Sequence, residues 1–324
     1  MFALTNKPGM AAHLYTELIC LAGEDGQGVN IMKLLQHIAG VLVETYLVFD
    51  NPDQAMQASL KQLAKNLESA PAQGPLDRSL LPQAHIIDQE TERGRQAARN
   101  IFEDWLDCAF EFHSLILDTT QSVVLSLENE GLRRSASLRL LVEFVHKAMG
   151  FEMAAQELCD VVIEQKIAQE GWSLGDCIAS LSAVAGRRLA LSLNAEACML
   201  FRGTQLPDTL DKISAIMTQE AIRLGVPAGS DWRFGLAAND MPVNAPMELV
   251  YGIEPYCTGF FEITHMNDIY DQAVACAKAA GRMLAVAAGG EAPEIEPAIA
   301  KPLAMAAMTE TYKAVCMNYS VATL

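Results

Sequence analysis

Two Glu-x-x-His sequences stand in this chain, Glu143…His146 and Glu262…His265. Residues three apart on a helix share a face one turn on, so a carboxylate and an imidazole at that spacing can reach one ion. The two surroundings differ. Glu143 has Arg139 and Lys147 four residues to either side, the pattern of a solvated row of ion pairs. Glu262 lies in Gly259–Val286, GFFEITHMNDIYDQAVACAKAAGRMLAV. Read as one helix, this stretch collects Ile263, Met266, Ile269, Tyr270, Ala273, Val274, Cys276, Ala280 and Leu284 on one arc. Thr264, Asn267, Asp268, Asp271, Lys278 and Arg282 fall on the opposite, polar arc. Glu262 projects near the centre of the apolar arc and His265 at its border. A buried carboxylate is costly unless it is paired, hydrogen-bonded, metal-bound or protonated. The pattern therefore predicts a partner facing Glu262.

Three kinds of partner fit. A third polar group, His113, projects among apolar residues of a separate helical stretch. Two histidines and one carboxylate suffice for a mononuclear iron or zinc site with open positions, so His113, Glu262 and His265 are the candidate metal ligands. Glu143, His146 and Asp118 are weaker candidates, because they fall on polar faces. The second kind of partner is Arg188, which sits near Cys177, Leu181 and Val184 on an apolar helix side and needs an anion. A Glu262–Arg188 pair would then be purely structural. Third, Arg188 could hold a ligand carboxylate or phosphate in a pocket walled by the aromatic-bearing segment 226–258, with Trp232, Phe234 and Tyr256.

In their paired Glu-x-x-His motifs alone, these residues resemble the ferritin-like and haem-oxygenase-like oxidase families. That resemblance implies a helical bundle with a carboxylate-rich metal centre, completed by two further inward carboxylates.

Composition sets the frame for these elements. The chain has 324 residues, 51% hydrophobic and only 6% aromatic. Ala, Leu and Met are abundant and alternating β-branched runs are scarce, which predicts an all-α multi-helix bundle. The net charge of −17 argues against nucleic acid and anionic membrane surfaces as partners. Eight cysteines lie scattered without a CxxC pair, as expected of reduced core thiols in a cytoplasmic protein. The N-terminus lacks the basic and apolar regions of a signal peptide.

In chain order, helices are expected over 9–22 and over Ile31–Phe49. The second reads as amphipathic, with Lys33, His37 and Glu44 on a solvated face rather than as a membrane span. The Gly-rich turn Gly23–Gly28 follows a helix and carries Glu24 and Asp25, which disfavours a phosphate cradle. Asn51-Pro52 restarts a helix, and 70–82 is a Pro- and Gly-bearing boundary. Residues 83–130 form one long helix, or two with a kink near Gly94. A helix is expected over Leu138–Met149, with room to continue through Lys166. Ser173 and Asp176 mark the capped start of a closely packed central helix over 174–199. A further helix runs from Pro207 to Gly225, then the irregular, proline-rich 226–258. Residues 287–302 read as a linker and 303–320 as a terminal helix.

The expected domains are an N-terminal lobe over 1–80, a main bundle over 81–290, and a linker with a docking helix over 291–324. A homodimer is expected, to cover apolar helix faces. The leading functional expectation is an iron-dependent oxidase or oxygenase acting on a small organic substrate. The alternative is a non-enzymatic helical ligand-binding or interaction protein with a structural Glu262–Arg188 pair.

Overall fold

The structure, a computed structural model, describes residues 7–23, 29–68, 81–101, 109–129, 131–193, 208–228 and 244–322. Among these residues every regular element is helical: α1 (Lys7–Ala22), α2 (Ile31–Tyr46), α3 (Pro52–Asn66), α4 (Ala84–Ile101), α5 (Ala109–Asn129) and α6 (Arg134–Val161), the last running into a π-helical turn at Val162–Ile167. There follow α7 (Leu174–Ser192), α8 (Asp208–Arg223), α9 (Pro246–Ile263), α10 (Ile269–Ala288) and α11 (Pro297–Ala322). The all-α multi-helix expectation holds. Local chemistry sets many of the boundaries. Asn30 and Asn51 cap α2 and α3 by accepting from the amides of Lys33 and Gln54. Ser173 caps α7 through the Asp176 amide, and its hydroxyl also donates to the Asp176 carboxylate at 2.7 Å.

Two compact units divide the chain, Met1–Met149 and Gly150–Leu324, and the division falls within α6. In the first unit α2 is the central helix, packed against α4 and also touching α1, α3 and α5. Leu34, Leu35, Ile38, Leu42 and Tyr46 fill its core. Here the expected solvated face of α2 is corrected. His37 has 0% exposure, and its Nε2 lies 2.8 Å from Glu90 on α4. Glu44 takes the guanidinium groups of Arg95 at 2.7 Å and Arg99 at 2.9 Å. The polar arc of α2 is thus buried against a complementary polar arc of α4. Burial pushes the Glu90 carboxyl upward, but the His37 hydrogen bond and the charges of Arg93, His37 and Lys33 outweigh it and hold its pKa below the ordinary value. Gly94 is no kink. It lies inside α4, where a Cβ would stand 1.9 Å from the His37 carbonyl oxygen, so glycine is what lets α2 and α4 approach so closely.

In the second unit α7 is the central helix, as its small residues predict. Ala179, Ser182, Ala183 and Val184 are all buried, and α11, α10 and α9 pack around it. Two expectations are corrected. The 226–258 segment is not irregular to its end, because α9 begins at Pro246 and runs straight through Pro255. Proline at the first turn costs nothing, and Pro255, which leaves the Tyr251 carbonyl without its helical donor, lies on an exposed side of the helix. Likewise the expected linker ends early, with α11 starting at Pro297 and containing Pro302.

Candidate functional site

Gly259–Val286 is two helices, not one. α9 ends at Ile263, and Asp268 caps α10 by accepting from the amides of Tyr270 at 2.8 Å and Asp271 at 3.3 Å. Between them His265 takes the left-handed conformation, at φ +56°. The His265 and Met266 amides donate back to the carbonyls of Glu262 and Phe261, closing the α9 terminus. This break removes the premise on which Glu262 was placed on an inward arc. Glu262 is exposed, and so is His265. The partner expected for Glu262 is correspondingly not Arg188.

Arg188 does find a carboxylate, two helical turns earlier. Its Nη2 donates to Glu254 at 2.5 Å and to the Thr258 hydroxyl at 2.8 Å, and its Nη1 to Gln272 at 2.8 Å. Arg187 adds a second contact to the same Glu254 oxygen at 2.8 Å. The guanidinium also lies 5.6 Å from the Phe261 ring centre. This group locks α9 and α10 to α7. Beside it, the buried thiols of Cys257 and Cys276 are hydrogen-bonded to each other. That bond, together with burial, drives Cys276 well above its usual pKa, with Arg188 opposing. A thiol held protonated is a poor nucleophile.

A second buried ionic group occupies the far side of α10. Lys278, 3% exposed, lies 2.6 Å from Glu152 on α6 and 3.6 Å from Glu220 on α8. Arg282 reaches Glu152 at 2.6 Å, and Arg223 grips Glu220 through two nitrogens. Of the expected polar arc, Lys278 is therefore buried and Arg282 half-buried. Burial and Glu152 raise the Glu220 pKa, but Lys278 and Arg223 outweigh them and keep it low.

The remaining candidates fall as follows. His113 belongs to the first unit, where its Nε2 is 2.7 Å from the Ser59 hydroxyl and its ring meets those of Tyr46 and Phe49 at 5.5 and 5.3 Å. Burial lowers its pKa and so favours the neutral imidazole. Asp118 and His146 are exposed, and Glu143 is half-buried on α6. Among the described residues, no three His, Cys, Asp or Glu side chains gather as a metal site would require. The exposed Glu262 and His265 do not fit the dry, enclosed centre at which iron would activate dioxygen. Trp232 and Phe234 lie outside the described residues. Tyr256 does take part in a built feature. Its ring and that of Trp172 stand 5.3 and 5.1 Å from the Lys166 ammonium, which also holds Glu170 at 2.6 Å. The π-turn carries Lys166 to this position, and Gly252 makes room, since a Cβ there would be 2.7 Å from the Trp172 ring. A separate cleft of about 330 Å³ at the turn between α5 and α6 includes Glu68, Glu128, Arg133 and Arg134. Arg134 there donates to Glu128 at 2.6 Å.

The outer face of α9 was not legible as one face in the sequence, where Tyr256 reads as part of a pocket wall and Ile263 as part of an apolar arc. Tyr251 (67% exposed), Pro255, Tyr256 (40%) and Ile263 (80%) line it. Tyr251, Pro255 and Ile263 stand at multiples of four in the sequence, but Pro246 and Pro255 disguised the start of the helix as loop. No helix among the described residues is long and apolar enough to cross a membrane. Comparison with known proteins finds no matching family, no matching curated protein and no matching solved structure.

Proposed function

We propose that the chain is a non-enzymatic helical interaction protein, with Arg188–Glu254 as the structural pair that fixes its docking helix. The observation that supports this reading is the division of α9. Its inner side is tied down by Glu254, Cys257, Thr258 and Phe261, while Tyr251, Tyr256 and Ile263 stand in solvent. Large apolar side chains grouped on one helix face are a recognition surface more often than a catalytic one. The charged groups best placed for chemistry in the second unit are instead bonded to one another, and the Cys276 thiol beside them is held protonated. The homodimer expected from the sequence belongs to the same reading.

The test is elemental analysis of the tag-free protein after anaerobic loading with ferrous iron and desalting, followed by oxygen-uptake measurement. The expected result is no stoichiometric iron and no uptake. Stoichiometric iron that is lost in Glu262→Gln would overturn the reading and restore the oxidase.

A further inference from the structure

Resting on that reading, we infer that the outer face of α9 is the docking surface for a cationic amphipathic helix. The face runs from Glu248 to Ile263, about 22 Å at 1.5 Å per residue, the length of roughly four helical turns. Its middle is uncharged: Tyr251, Pro255, Tyr256 and Gly259, with the half-buried Phe260 beside them. Both ends carry exposed carboxylates, Glu248 at the start and Glu262 at the finish, with Asp268 just beyond. Beside Tyr256, the Lys166 ammonium is buried and bonded to Glu170, so this cation offers nothing to a negative partner.

Charge complementarity selects the occupant. An apolar strip bracketed by carboxylates, on a chain of net charge −17, attracts a segment with apolar anchors flanked by Lys or Arg. A second copy of this chain meets the strip less well. An antiparallel pairing of two α9 helices centred on Pro255 would set Glu248 of each against Glu262 of the other, and like charges opposed in this way repel. The inner side of α9 is already rigid through Arg188, so docking would order little of the chain.

The experiment uses the full chain and a fluorescein-labelled Leu/Lys peptide of about 18 residues, patterned at the helical period, with a Leu/Glu peptide as counterpart. Fluorescence anisotropy is expected to show binding of the Leu/Lys peptide, weakening with salt, and none of the Leu/Glu peptide. Tyr251→Asp/Ile263→Asp should weaken it by about tenfold or more. Glu248→Lys/Glu262→Lys should weaken it about fivefold or more, whereas Glu157→Lys/Glu310→Lys, with the same change in net charge at other exposed positions, should change it less than about twofold. Circular dichroism checks each variant. If the apolar-strip variant fails to fold, the two charge-reversal pairs decide alone. Equal effects of the two reversal pairs would mean general attraction to an acidic protein and would overturn the inference. So would absence of Leu/Lys binding, or self-association that Tyr251→Asp/Ile263→Asp abolishes, which would assign the face to a second copy. Iron retention in the preceding test would remove the interaction reading itself. A metal-free chain that ignores the peptide removes only this surface.

Discussion

Glu254 and Glu262 are two turns apart on one helix, and their substitutions separate structural from solvent roles. Glu254 answers two guanidinium groups, and the pair with Arg188 is mostly withdrawn from water. Removing one partner of such a pair leaves the other charge buried and uncompensated. Glu254→Gln is expected to cost about 3 kcal/mol, the low end for broken buried pairs because both groups keep some solvent contact. Glu262→Gln, at an exposed position, should leave stability within about 0.5 kcal/mol. Urea denaturation of both variants checks this, and equal losses would show that Glu254 is not the anchor. His113 provides a pH signature in the first unit. Its pKa falls on folding because burial disfavours the cation, so below the ordinary value of 6.5 the unfolded chain takes up the proton more readily. Stability is therefore full above that pH and declines as pH drops from 6.5 toward the lower folded value. In His113→Gln, chemical denaturation over this window is expected to lose that part of the slope. An unchanged slope would assign the pH dependence elsewhere.

At the scale of elements, periodicity told which residues share a face and not what lies opposite. α2 and α10 each carry a polar arc that reads as a solvated one. Much of each arc is covered, because α4 presents Glu90, Arg95 and Arg99 to α2, and Glu152 and Glu220 meet Lys278 and Arg282 of α10. No single-helix pattern contains that information, since it depends on the facing helix. The Ser173 cap, the Asn51-Pro52 restart and the small-residue packing of α7 were legible because each is local. So was the stop between α9 and α10. Asn267-Asp268 ahead of Ile269 is a capping signal, overlooked because the apolar arc appeared continuous across it. The α9 terminus yields a prediction. A non-glycine residue at φ +56° pays about 1 kcal/mol for a conformation glycine adopts freely. His265→Gly is expected to raise the unfolding free energy by about that amount, read in urea melts. A loss of stability would instead indicate that the imidazole itself is held by a partner.

For the whole molecule, the two units carry separate cores and separate buried ionic groups, with His37–Glu90 and Glu44–Arg95 in the first and Glu152–Lys278 and Arg188–Glu254 in the second. A unit with its own core can unfold by itself. Substitutions confined to one core therefore address one unit. Gly94→Ala forces a methyl group against the His37 carbonyl oxygen, and neither backbone can yield without parting α2 from α4. A cost of about 3 kcal/mol or more is expected, at the upper end for overpacking. Lys278→Met strips the cation from between Glu152 and Glu220, and a similar loss is expected in the second unit. Scanning calorimetry should then resolve two transitions, of which Gly94→Ala lowers one and Lys278→Met the other. α6 works against this outcome, since it is one uninterrupted helix whose residues belong to both units, and fraying it at Met149–Gly150 would break backbone hydrogen bonds. If that continuity outweighs the independence of the cores, a single transition will appear and both substitutions will move it together. That outcome would show that the two cores unfold together.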